Sequence, residues 1–138
     1  MKEKIYLSGP LFSQAEIDWG SQIKECISEY LGDKVEVIWP HEIAYGSPEQ
    51  IFQINTNALD QCNIMVAILD GPQVDDGTAW EMGFHFSRGR KIIGIRTDFR
   101  KAGETNSSKV NAMIERSCQE IVVSLDDLIL VLKEILEA

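Results

Sequence analysis

The segment Asp70-Gly71-Pro72-Gln73-Val74-Asp75-Asp76-Gly77-Thr78-Ala79-Trp80-Glu81-Met82-Gly83 sets four acids within twelve residues, between an apolar run and a stretch of helical character. A carboxylate in such a place can act as a nucleophile. Glu81 falls one turn into a helix predicted from Thr78, where the positive end of the helix dipole would hold it ionised and present it to a ligand. Gly77 and Gly83 would let a ligand or a second helix approach closely. A structural reading fits the same residues: Thr78-Ala79-Trp80-Glu81 matches the S/T-x-x-E capping box, and Asp75 or Asp76 suits a helix start.

These side chains need a scaffold, and alternating elements supply one. Lys4 to Ser8 reads as a strand stopped by Gly9-Pro10, and Ser13 to Leu31 as a helix with Ile17, Ile23, Ile27 and Leu31 on one face. Val35 to Trp39 is a second strand ending at Pro40. A loop through Pro48 and a helix from Glu49 to Gln61 follow. Asn63 to Leu69 is continuously apolar, as in a strand buried on both faces. Then come a loop over Gly71 to Gly77, a helix from Thr78 to Arg88, a strand from Lys91 to Arg96, a helix from Val110 to Cys118 and a short strand from Glu120 to Val123. From Ser124 an amphipathic helix carries Leu125, Leu128, Ile129, Leu132, Ile135 and Leu136. This order predicts a doubly wound α/β fold, flavodoxin-like or Rossmann-like, with a five-stranded parallel sheet and helices on both faces. The loops after Ser8, Trp39, Leu69 and Arg96 should then crowd around one site at the carboxyl edge.

The 138 residues make one domain over 1–138. Hydrophobic residues at 44% and charged residues at 25% exclude collagen-like and disordered classes. The net charge of −9 argues against nucleic acid polymers and anionic membrane surfaces as partners. Cys26, Cys62 and Cys118 match no zinc or disulfide spacing, and His41 and His85 are too isolated for a metal site. The start of the chain has too short an apolar run for a signal peptide, and Ile64 to Leu69 cannot span a bilayer, so a cytoplasmic protein is expected. Packing is the expected role of Trp39, and solvated loops are expected for Arg88 to Lys91 and Arg96 to Lys101.

Three segments taken together are more specific. Tyr6-x-Ser8-Gly9-Pro10, Asp75-x-Gly77-Thr78-x-x-Glu81-x-Gly83 and Asn111-Ala112-Met113 resemble, in order and over nearly the whole chain, the nucleoside 2-deoxyribosyltransferase family. The resemblance implies retaining transfer of 2-deoxyribose between nucleobases through a covalent deoxyribosyl ester on Glu81. Tyr6 matches the tyrosine that orients the nucleophile, and Asp75 and Asn111 match residues that grip the sugar's 5' end. Asn55 falls where the family contacts the nucleobase, and Met113 would help to wall the pocket. Ser8, Gly9 and Gly77 are expected beside the substrate. The family supplies Asn111 from a neighbouring subunit, so the resemblance also implies a homo-oligomer. Deoxyribonucleosides and free nucleobases are the implied small-molecule partners, with no cofactor and no metal.

Competing expectations differ at few positions. Related 2'-deoxynucleoside 5'-phosphate N-hydrolases resemble this chain but have serines at the positions of Asp75 and Asn111. A phosphate close to Asp75 would cost on the order of several kcal/mol in a poorly solvated cleft, which favours nucleosides. Ser8 weakens that contrast, since its hydroxyl could meet a phosphate where transferases often have Gly or Ala. A receiver-type signalling domain would use Asp70 and Thr97 but lacks an acidic pair after the first strand. A nucleoside-binding protein without turnover is a further alternative.

Overall fold

The computed structural model describes residues 1–138. Five strands, β1 (Glu3–Ser8), β2 (Val35–Ile38), β3 (Ile64–Ile68), β4 (Lys91–Ile95) and β5 (Glu120–Val122), form one parallel sheet in the order β2-β1-β3-β4-β5. Six helices connect or follow them: α1 (Gln14–Leu31), α2 (Pro40–Ile43), α3 (Pro48–Asp60), α4 (Asp76–Ser87), α5 (Ala112–Ser117) and α6 (Leu125–Glu137). The chain reverses its winding direction at β1 and β3, and doubly wound sheets open their ligand crevice at the carboxyl ends of such a pair.

The two-residue period of β1 divides the interior. Ile5 and Leu7 face a core closed by Ile23, Ile27 and Leu31 of α1 and by Leu128 and Leu132 of α6. Tyr6 points the other way, into a second core with Met65, Ala67, Leu59 and Met82. Ser8, two residues further along, shares the Tyr6 face and is fully buried. Each buried Ile or Leu of these layers stabilises the fold by about 1.5–3 kcal/mol. Trp39 belongs to the first core, and α1 comes so close to it that a Cβ on Gly20 would sit 2.7 Å from the indole.

Helix starts follow capping chemistry. Ser13 and Ser47 each accept from a backbone N–H three residues on, while Glu16 and Gln50 return the bond. Three expectations need correction here. The stretch after Pro40 is not all loop, because Pro40 opens the short helix α2. Helix α4 starts at Asp76 rather than Thr78, with Asp75 as its cap: Asp75 Oδ2 accepts from the Thr78 N–H at 3.0 Å. Thr78 is therefore a buried residue inside the first turn, and the Thr78–Glu81 capping box does not form. The helix expected over Val110 to Cys118 is shorter, with Val110 in the second core and Asn111 as cap.

Arg96 is not a solvated loop residue either. It is buried, and its guanidinium donates to the carbonyls of Leu69, Gly71 and Arg100, pinning the loop that leads towards α4. Asp70 is engaged in the same corner, accepting from Thr97 N at 2.6 Å, Thr97 Oγ1 at 2.8 Å and Asp98 N at 2.9 Å. The two groups of a receiver-type reading are thus bonded to each other.

Candidate active site

A cleft of about 670 Å³ opens at the carboxyl edge, between the β1–α1 loop, α3 and the start of α4. Cavities of this size accommodate small organic ligands. Glu81, Asp75, Asn55, Gly9 and Gly77 all line it, so five of the expected residues meet in one place. Gly9 fits because a Cβ there would lie 2.9 Å from Cβ of Ile68. Phe12, Phe52 and Trp80 are exposed aromatics along the walls, and the Phe52 and Trp80 rings meet edge to face at 5.6 Å. Composition gave no reason to single out these three; Phe12 follows the first motif, Trp80 lies within the second, and Phe52 precedes Asn55 by about one helical turn.

Glu81 projects from α4 towards β1. The Tyr6 hydroxyl donates to Glu81 Oε2, and Ser8 Oγ donates to Oε1 at 2.6 Å. The sequence places Ser8 beside the substrate, and the structure gives its hydroxyl a partner on the protein. The period of β1 was the signal for that role. Burial pushes the Glu81 carboxyl above its ordinary value, opposed first by the Ser8 and then by the Tyr6 hydrogen bond and aided by the Asp75 charge. The expectation that the helix dipole holds it ionised is therefore corrected. Glu81 is six residues past the cap, beyond the first turn where the dipole acts, and the hydroxyl donors offset only part of the burial that favours its protonated form. Burial and the Glu81 charge push the Tyr6 phenol far up, so it remains a donor.

The raised carboxyl carries a pH prediction. A reaction that needs ionised Glu81 should lose kcat/KM as pH falls, with an acid limb above the ordinary carboxylate range. Because the folded state holds this proton more tightly than the unfolded chain, stability should fall as pH rises through that window. Glu81→Gln should raise Tm at neutral pH, and the gain should vanish in acid. Thermal melts of both proteins across pH check the sign.

Asp75 Oδ2 is shared between Thr78 N and Thr78 Oγ1, which leaves Oδ1 open to a ligand. Asn55 Oδ1 is buried without a partner, so that acceptor awaits a donor. Asn111 and Met113 are not brought to this cleft. They border a second hollow of about 700 Å³ on the opposite side of α4, with Met82, Gly83 and Phe86. Asn111 Oδ1 caps α5 by accepting from Met113 N at 2.8 Å, and Met113 is 81% exposed. His85 is buried with Nε2 at 3.1 Å from the Lys91 carbonyl oxygen, and burial lowers its pKa to about 4. No group of three or more His, Cys, Asp or Glu side chains is arranged to hold a metal ion.

The chain matches the description of the family Nucleoside 2-deoxyribosyltransferase over residues 5–113, a span that contains the clamped carboxylate and its cleft. It belongs to the nucleoside 2-deoxyribosyltransferase family. A relative in Ureaplasma parvum, itself uncharacterized, is 32% identical, with 86% of this chain and 87% of that protein covered. Among solved structures, the 2-deoxyribosyltransferase of Bacillus psychrosaccharolyticus superposes with a TM-score of 0.72 at 25% identity, covering 91% of this chain and 90% of that one. The 2-desoxiribosyltransferase of Leishmania mexicana reaches a TM-score of 0.79 at 19% identity, covering 96% and 97%. The CMP N-glycosidase of Clostridium botulinum reaches 0.62 at 20% identity, covering 96% and 98%. The last two likenesses show the shared fold.

Proposed function

We propose that this family member exchanges the nucleobase of 2'-deoxyribonucleosides, with Glu81 as the nucleophile and retention at the sugar carbon. The observation that carries this reading is the Glu81 carboxylate at the cleft, held by Tyr6 and Ser8 on one oxygen each. Breaking an N-glycosidic bond builds positive charge on C1' and the ring oxygen. A fixed carboxylate stabilises that charge and then captures the carbon as an ester. Lacking a 2'-hydroxyl, deoxyribose reaches the oxocarbenium-like state more easily. The ester then waits for a second base, which gives ping-pong kinetics.

The other roles follow from position. Tyr6 orients Glu81; Asp75 Oδ1 accepts the 5'-hydroxyl; Asn55 offers its open acceptor to a base N–H; Gly9 and Gly77 let the sugar approach. The cleft lining includes three acids and no Lys or Arg, a poor setting for a 5'-phosphate and a good one for a neutral nucleoside. Asn111 and Met113 reach the sugar of a neighbouring subunit, across an interface formed by the second hollow and its apolar rim of Phe86 and Met113. Deoxyribonucleosides and free bases are the partners, in the cytoplasm. No helix is long and apolar enough to cross a membrane.

The test is chromatographic. The protein is incubated with 2'-deoxyinosine or thymidine, with and without a free acceptor base, beside 2'-deoxynucleoside monophosphates. Appearance of the exchanged nucleoside only with the acceptor supports transfer. Base release from monophosphates alone would replace this reading by hydrolysis.

A further inference from the structure

The first strand places two hydroxyls, not one, on the reactive carboxylate. Tyr6 and Ser8 stand two residues apart on the face of β1 that looks at α4, and each donates to a different oxygen of Glu81. Both residues are 0% exposed, so water does not take over either bond. A single donor would suffice to aim the group. A second one changes its chemistry: hydrogen bonds to a carboxylate lower its basicity, making it a weaker attacking group and a better leaving group.

We propose that Ser8 is a positioning residue that sets the lifetime of the sugar ester, by holding one Glu81 oxygen as a stabilised leaving carboxylate. This rests on the ester chemistry proposed above. In the first half-reaction a Glu81 oxygen attacks C1' of the deoxyribose; the C1'–N bond breaks and its electron pair leaves with the donor base, which takes up a proton. In the second half, a nitrogen of the acceptor nucleobase attacks C1'. The C1'–O bond breaks, its pair returns to Glu81, and the acceptor nitrogen releases its proton to solvent. Charge returns to the carboxylate during that second step, and the Ser8 hydroxyl is already aimed at it, so no donor has to be recruited. Tyr6 contributes from the other oxygen, which leaves Ser8 as the donor that can be removed while orientation is kept.

Ser8→Ala removes one oxygen atom from a buried site and retains the Tyr6 bond. Two measurements read the result: the titration of the Glu81 carboxyl by carbon NMR on protein without substrate, and the fraction of protein carrying one deoxyribosyl unit by mass spectrometry during turnover of 2'-deoxyinosine with adenine as acceptor. The variant should show the Glu81 midpoint moved upward, an ester that decays about tenfold more slowly to acceptor, and a larger ester-bearing fraction at steady state. A midpoint that stays in place, or an ester no longer lived than in the parent, overturns the proposal. If the parent protein forms no ester and turns over no substrate while the midpoint still rises in Ser8→Ala, the transferase reading and the lifetime role fall together, and only the Ser8 hold on the carboxylate survives.

Discussion

Glu81→Ala is expected to lower exchange between deoxyribonucleosides and free bases about a thousandfold or more, as removal of a covalent nucleophile does elsewhere. The loss should lie in kcat, because the aromatic walls, Asn55 and Asp75 that bind substrate are untouched. Nucleoside binding followed by calorimetry should therefore persist in the variant, and no deoxyribosylated protein should be detected. The structure also tells the variant's two consequences apart. Alanine leaves the Tyr6 and Ser8 hydroxyls facing a small void, where they can bond to water or to each other, so the fold should remain intact by thermal melting. Exchange within tenfold of the parent would remove Glu81 from the mechanism. The hydrolase alternative predicts the same loss with monophosphates as substrates, so the substrate lost, together with Glu81 dependence, distinguishes the branches.

A second large effect is expected from mixing two inactive proteins. Asn111 and Met113 lie across α4 from the Glu81 cleft, so a site that needs both Glu81 and Asn111 must draw them from different subunits. Glu81→Ala and Asn111→Ala should each be severely impaired alone. After unfolding and refolding together in equal amounts, a two-subunit exchange would place an intact Glu81 beside an intact Asn111 in one site of each mixed dimer. Activity should then recover to about a quarter of the parent level, from a random pairing of two subunit types. Asn111 is a surface cap of a six-residue helix, so its replacement should cost only about 1 kcal/mol of stability. Recovery near zero in a confirmed mixture of subunits would put Asn111 outside the composite site. An Asn111→Ala protein of full activity would do the same.

Much of this arrangement was legible in the residues. The alternation of apolar strands with helical stretches gives the parallel sheet and places the loops of β1 and β3 together at its carboxyl edge. Glu81, Asp75, Gly9 and Gly77 were marked by motifs and Asn55 by its place in the family resemblance, and the fold joins all five in one cleft. What the sequence concealed depends on contacts between distant elements. The state of Glu81 was read from its own helix, yet it is set by burial and by hydroxyls more than seventy residues earlier in the chain. Arg96 reads as one of several basic loop residues, and only the tertiary fold shows three carbonyls closing on it. Helix α2 was hidden because four residues starting with proline carry no apolar period, only the first-turn preference of proline itself.

The division of the interior by β1 reaches beyond the reaction. Ile5 and Leu7 anchor the layer of α1 and α6 behind the sheet, whereas every residue of the candidate cleft lies at its edge or on the other side. The rear layer is thus separated from most of the working surface by the sheet, and meets it at Leu11 of the β1–α1 loop, which lines the cleft and packs on the first core. A protein built in this way can be tuned for heat tolerance, or tethered to a support through the solvent faces of α1 and α6, without disturbing the groups that handle the sugar. Durability and reactivity become separate design variables, set on opposite sides of one wall.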